Sequence, residues 1–325
     1  MDDHPSSSTA VPKRGYLFVV LAALLWAVSG SSAKFLFNRG ITAFQLVQMR
    51  LTMASALLLI WFLWRKRPLL RVARRDLWSL ILLGTVGMAS LQFTYLFTIS
   101  KIQVAAAILL EYLAPVLIAI HAVIFAHQRL TRTLVTALVG ATVGCYLVVG
   151  GYNLDLLTMN RVGIISGLLS AVSFAAYAVY GEKLMCRYSS WTVLFYSLVC
   201  AALVWNVLQP PLGFLRRSYS PVEWACILYI AVLGTLIPFW LYTEGINLIR
   251  STRASITATL EPITAGLISY LFLGEVMERL QLAGGILVIG SIVLLQLRRE
   301  YDDKTPALIR ERWQLRDSGA DMDGE

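Results

Sequence analysis

Long apolar runs separated by short polar joints fill this chain from about residue 16 to residue 297. A helix that crosses a bilayer needs ~20 mainly apolar residues. Ten runs approach or exceed that length, near 16–38, 43–64, 77–99, 104–126, 133–150, 162–182, 191–209, 222–248, 254–273 and 280–297. The joints leave no room for a separate soluble domain. The pattern therefore predicts an all-α integral membrane protein with ten transmembrane helices. Polar tails at 1–13 and 299–325 read as disordered, apart from a short helix around Ile309 to Leu315.

A second pattern is laid over the first. At a spacing of 147 residues, Tyr95 matches Tyr242, Ile102 matches Ile249, Ala107 matches Ala254 and Pro115 matches Pro262. At 148, Gly15 matches Gly163 and Ala27 matches Ala175. The chain thus divides into a repeat at 14–150, a linker at 151–161 and a second repeat at 162–298. Each repeat holds five spans, and an odd number makes the second enter the membrane the opposite way round. Two inverted five-helix repeats are a transporter architecture, with a site near the midplane between them. Gly140 with Gly144, and Gly163 with Gly167, have the spacing that lets helices approach closely.

Composition then decides between partners. Charged residues are only 14% of the chain, against ~25% in a typical soluble domain. The net charge of +9 would suit a nucleic-acid binder, but its placement points to topology instead. Six of the 28 Lys and Arg, namely Arg39, Lys101, Arg161, Arg216, Arg217 and Arg279, fall in one alternating set of joints. Lys34 and Arg50 lie within spans, and all the others fall in the opposite set. The positive-inside rule then puts both termini in the cytoplasm of a multi-pass inner-membrane protein. The partners expected are lipid and a small-molecule substrate, with no nucleic acid, and the protein acts as a monomer or homodimer. Cys145, Cys186, Cys200 and Cys226 form no C-x-x-C pair and read as small packing residues.

Particular residues carry a family resemblance. Trp26-Ala27 in span one, Ala114-Pro115-Val116 in span four, and Leu260-Glu261-Pro262 followed by Leu273-Gly274-Glu275 in span nine resemble the drug/metabolite transporter superfamily, in its EamA-like ten-span form. The first repeat departs from the L-G-E pattern, reading Ala126-His127-Gln128, and carries Glu111 one turn before Pro115. The resemblance implies export of small metabolites, often amino acids or amines, by alternating access. It also implies a cavity among spans one, three, four, six, eight and nine, with spans five and ten joining the halves.

Charges inside spans are costly, at ~2.5–3.5 kcal/mol each on insertion scales, so each needs a reason. Arg50 and Glu111 both lie about seven residues into their spans from the same end, ~10 Å deep, and are expected to pair or to share a hydrogen-bond network, as a gate or a static link. Glu261 sits between Thr257 and Thr264 beside Pro262, whose missing N–H frees a carbonyl in the preceding turn and suits a helix bend, as does Pro115. Expected substrate-binding residues are Trp26, Ser29, Gln92, Tyr95, Glu111, Tyr177, Tyr180, Trp240, Glu244 and Glu261, since aromatic faces and acids can hold a cation. Lys34 and Glu182 read only as charges reaching the membrane interface.

No catalytic, metal-ligating or cofactor-binding motif is present, and no phosphate-binding glycine loop for direct ATP drive. The reading is a non-enzymatic secondary transporter, proton-coupled or exchange-driven. Uptake of the same solutes is the nearer alternative, because topology does not set net direction. A membrane enzyme or lipid-handling protein on the same frame is the more distant one.

Overall fold

The computed structural model describes residues 12–125, 131–152, 160–216, 218–273, 278–297 and 304–317. The signature residues Gly274 and Glu275, the 126–128 departure, most of the 151–161 linker and both chain ends lie outside them.

The described residues are helical and contain no strand. The first repeat runs α1 (Lys13–Asn38), α2 (Ala43–Arg65), α3 (Arg74–Leu82), α4 (Ala89–Lys101), α5 (Val104–Glu111), α6 (Ala114–Ile124) and α7 (Arg132–Val148). The second runs α8 (Arg161–Met185), α9 (Ser190–Leu208), α10 (Pro221–Ala231), α11 (Ile237–Ala258), α12 (Leu260–Leu273) and α13 (Arg279–Leu297). A last helix, α14 (Pro306–Asp317), lies beyond both. A π-helical turn, Leu83–Met88, joins α3 to α4, and a second, Val232–Leu236, joins α10 to α11.

Eight helical runs are long and apolar enough to cross a membrane, and α7 is a shorter apolar helix. Ten were expected, and the difference has a local cause. One run, Pro221–Ala258, has 38 residues and would be about 57 Å long if straight, nearly twice the ~30 Å hydrocarbon core. It is not straight. Arg250 has φ 68° and ψ 161°, which divides α11 into a piece before and a piece after it.

Interruptions recur at matched places. The helix carrying Pro115 breaks at Tyr112 and Leu113, and the helix carrying Pro262 breaks at Thr259. Both breaks precede the proline, whose ring and missing N–H disrupt the turn before it.

Packing follows the repeat. The most extensive contacts are α7 with α13, α1 with α11, α4 with α8 and α2 with α9. Helices α2 and α9 run antiparallel: Phe44 meets Trp205 near one end and Trp61 meets Trp191 near the other. Between these, Gln48 Nε2 donates to Asn206 Oδ1 at 3.1 Å, and Asn206 Nδ2 donates to Thr52 Oγ1 at 2.8 Å. Helices α7 and α13 are antiparallel as well, with Gly140 beside Ser291 and Gly144 beside Gly284.

The α7–α13 seam is backbone against backbone. A Cβ at Gly144 would lie 2.7 Å from the Gly284 carbonyl oxygen, and one at Gly284 would lie 2.6 Å from that of Gly144. Gly144→Ala should therefore cost about 1–3 kcal/mol by overpacking. Gly290→Ala, with nothing within 4 Å of its Cβ, should be neutral or stabilising by up to about 1 kcal/mol through helix propensity. Thermal unfolding of the two variants in one detergent checks this; equal melting points would mean the seam tolerates separation.

Candidate functional site

The repeated breaks bring charge to the middle of the bundle. A small cavity, with room for about 30 Å³ of water-accessible space, is lined from both repeats. Trp26 and Ser29 come from α1, Arg50 from α2, and Leu91, Gln92 and Tyr95 from α4. Glu111 and Tyr112 come from the α5–α6 break, Phe174 from α8, Phe239 from α11 and Glu261 from α12. A water needs ~10–15 Å³ on this measure, so the space suits a water or two and is far too small for an amino acid. The conformation is closed.

Glu261 is the best-anchored acid. It is 5% exposed. Tyr112 Oη donates toward Glu261 Oε2 at 2.9 Å, and Tyr95 Oη toward Oε1 at 3.4 Å. Tyr112 Oη also lies 2.7 Å from the carbonyl oxygen of Ala258. That carbonyl is four residues before Pro262, so it is the one the missing proline N–H leaves without a helical partner. A single phenolic proton thus faces two acceptors.

Arg50 and Glu111 line the same cavity, and their hydrogen bonds go to other groups. Arg50 Nε donates to Thr235 Oγ1 at 2.7 Å, and Nη2 to the Gly234 carbonyl at 3.1 Å. Both acceptors lie in the π-helical turn Val232–Leu236. A widened turn shifts the backbone hydrogen-bond register, and here Thr235 Oγ1 donates back to the Ile230 carbonyl at 2.7 Å. The turn offers Arg50 two acceptors on a facing helix. Glu111 is taken by the hydroxyl of Ser170 on α8. Arg50 is 2% exposed, and its Nη1 has no hydrogen-bond partner.

Of the residues expected to bind substrate, Trp26, Ser29, Gln92, Tyr95, Glu111 and Glu261 line the cavity. Four others lie elsewhere. Tyr177 is buried behind the cavity, edge-on to Phe239. Tyr180 lines a second, larger cavity of about 510 Å³ at the end of α8. Trp240 stacks on Trp191 at 4.6 Å, on another face of α11. Glu244 accepts from Ser190 and from Asn247 Nδ2, near α14. The reasons are depth and helical phase. On α8, Tyr177 shares the buried face of Ser170 and Phe174 but lies a turn beyond the cavity, and Tyr180 is turned off that face; on α11 it is Phe239, not Trp240 or Glu244, that reaches the cavity.

Leu91, Tyr112, Phe174 and Phe239 were missed. Tyr112 had a signal: it is three residues before Pro115, in the turn the proline disrupts. Phe174 is four residues after Ser170, and Phe239 follows Pro238 directly. Neither is set apart by type in so aromatic a chain.

The tail helix is tied to the same end of the bundle as Glu244. Arg310 Nη1 donates to the carbonyls of Met185 at 2.6 Å and Tyr188 at 2.9 Å, and to Asn247 Oδ1 at 3.3 Å. Burial lowers the Arg310 pKa, and the nearby Glu244 carboxylate opposes that shift.

A multi-pass helical bundle that holds buried charges at a closed central cavity, lined from both of its repeats, is the build of a membrane transporter. The chain belongs to the EamA-like transporter family, whose model matches residues 13–150 and again 161–297. It is 29% identical to the uncharacterized inner membrane transporter YicL of Salmonella typhimurium, over 88% of this chain and 96% of that protein. It is 26% identical to the pseudopaline exporter CntI of Pseudomonas aeruginosa, over 87% of this chain and 96% of that one. A solved crystal structure aligns with a TM-score of 0.69 at 19% identity, covering 88% of this chain and 98% of the other. At that identity the likeness is one of fold.

The Tyr112 hydroxyl carries the clearest energetic consequence. Tyr112→Phe leaves the Ala258 carbonyl buried without a partner and should cost about 1–3 kcal/mol. Tyr95→Phe, which removes only a 3.4 Å contact, should cost less. Equilibrium unfolding in mixed micelles checks the order of the two; the reverse order would mean the carbonyl is satisfied another way.

Proposed function

We propose that this protein is a secondary transporter that exports a small zwitterionic or amine-bearing metabolite by alternating access. The carrying observation is the cavity chemistry. A buried guanidinium with an unpartnered Nη1 and two carboxylates line one small space. A substrate carboxylate suits Arg50, and a substrate ammonium suits Glu111 or Glu261. Trp26, Phe174 and Phe239 supply faces for the apolar or cationic remainder.

The mechanism follows from the two repeats. Antiparallel pairing of α2 with α9 and α7 with α13, which hold matching positions in their repeats, supports an inverted arrangement of five spans each. On this reading α12 and the part of α11 after Arg250 form the ninth span, and α13 the tenth. The charge bias of the joints supports cytoplasmic termini. Alternating access then requires the closed cavity to open first to one face and then to the other. Substrate shifts that equilibrium only by binding the two states differently.

Energy comes from a proton gradient or from exchange. Glu261 is suited to carry a proton because Tyr112 and Tyr95 can stay beside it in either state. When it is ionised, both hydroxyls donate to it. When it is protonated, it donates to Tyr112, which is released to the Ala258 carbonyl. Export is favoured over uptake because the relative CntI is an exporter.

Proteoliposomes loaded with labelled amino acids and amines, with and without a pH gradient, test the proposal. Wild type should move a zwitterion, faster with the gradient. Arg50→Met and Glu261→Gln should each cut flux by about tenfold or more, the loss expected from one charged hydrogen bond. A solute that crosses at the same rate in Arg50→Met would remove the carboxylate anchor. Chemical conversion of the solute would remove the transporter reading.

A further inference from the structure

The two charges read as interface markers, Lys34 and Glu182, hold the two joints that lead into the acid-bearing helices. They are 148 residues apart, the spacing of the repeat. Lys34 sits late in α1, but its ammonium does not turn out to water. Nζ donates to the carbonyls of Ile99 at 2.8 Å and Ile102 at 3.1 Å, where α4 ends. Glu182 sits late in α8. Its carboxylate accepts from the Ser251 backbone N–H at 2.7 Å, from the Ser251 hydroxyl, and from Arg250 Nε at 2.9 Å.

The charges are opposite, and each suits its site. Lys34 meets carbonyls at a helix C-terminus, and Glu182 meets an amide at the start of a helical segment; these are the ends where cations and anions are favoured. Each joint is also gripped from the other repeat. Ile102 packs where a Cβ on Gly163 would lie 2.6 Å from its Cγ2, and Ile249 where a Cβ on Gly15 would lie 2.4 Å away. Glycines 15 and 163 are also 148 apart. One joint is therefore held between Lys34 and Gly163, and the other between Glu182 and Gly15, at opposite ends of the bundle.

Each joint opens into a helix that leads to the cavity. From Ile102 the chain enters α5, which ends at Glu111. From Ser251 it runs through the rest of α11 to Glu261. We propose that Lys34 and Glu182 are the latches of the two gates, one at each face, released in turn during the cycle. Both are engaged in the closed conformation. Releasing the Lys34 latch frees the joint before Glu111 at the face opposite the termini. Releasing the Glu182 latch frees the joint before Glu261 at the face of the termini, beside the 510 Å³ cavity that Glu182 and Cys186 line. Both residues are positioning residues: they act through the joints and do not touch the substrate. The inference rests on the alternating-access reading.

Hydrogen–deuterium exchange on the purified full-length protein in nanodiscs tests it. Glu182→Gln should speed amide exchange over 250–258 by about tenfold or more, leave 102–111 unchanged, and raise labelling of Cys186 by a membrane-impermeant maleimide. Lys34→Met should speed exchange over 102–111, leave 250–258 unchanged, and leave Cys186 labelling at its wild-type level. Lys34→Arg should keep the wild-type pattern. Ser251→Ala, which keeps both charges, should loosen 250–258 alone, and it serves if Glu182→Gln does not fold. Loosening of both joints by either single change, or of neither by both, would overturn the latches. Wild-type flux is measured separately, so a protein that moves no solute yet shows face-specific exchange would sink the transport reading and not the latches.

Discussion

A helix inside a bilayer that gives up a backbone hydrogen bond must find another partner at the same depth, because no water is there to replace it. Pro262 makes that demand of the Ala258 carbonyl, and Tyr112 meets it from the other repeat at 2.7 Å. The same phenol touches Glu261 at 2.9 Å. The broken helix, the contact between the repeats and the charge state of a buried acid thus share one hydroxyl proton. When one acceptor takes it, the other must be satisfied in another way. The central cavity is organised around that shared proton.

The other charges that line the cavity, Arg50 and Glu111, are held by neutral partners. Arg50 rests on a hydroxyl and a carbonyl of a π-helical turn, and Glu111 on a serine. A buried ion pair is expensive to break, since removal of one partner leaves a bare charge. Neutral partners can be exchanged at lower cost. A carrier that must rearrange its centre in every cycle benefits from that choice. The ion pair between Arg250 and Glu182 lies at the end of the bundle and not at its centre.

The sequence made some of this legible. Hydropathy located the apolar helices because bilayer thickness sets their length. The paired prolines were visible because a proline inside an apolar run has a definite cost. Seven cavity residues, Arg50 among them, could be named because polar and charged groups in spans are rare. The partner of Arg50 could not be named, since nothing in Val232 to Leu236 announces a π-helical turn. Tyr177 lies on the right face of α8 but a turn too far along it, because hydropathy does not fix how deep the cavity sits. Trp240 and Glu244 were misplaced because only packing shows that Phe239 is the residue of α11 that reaches the cavity. Lys34 was read as seeking water, although carbonyls left open by a broken helix lay closer.

The seam between α7 and α13 has a bearing on which parts of the molecule can move separately. Gly140 meets Ser291, and in the counterpart contact Gly144 meets Val288. Two small residues on α7 let its backbone lie directly against that of α13, with no side chain between Gly144 and Gly284 that could change rotamer. Such a pair can turn as one piece far more easily than it can spread.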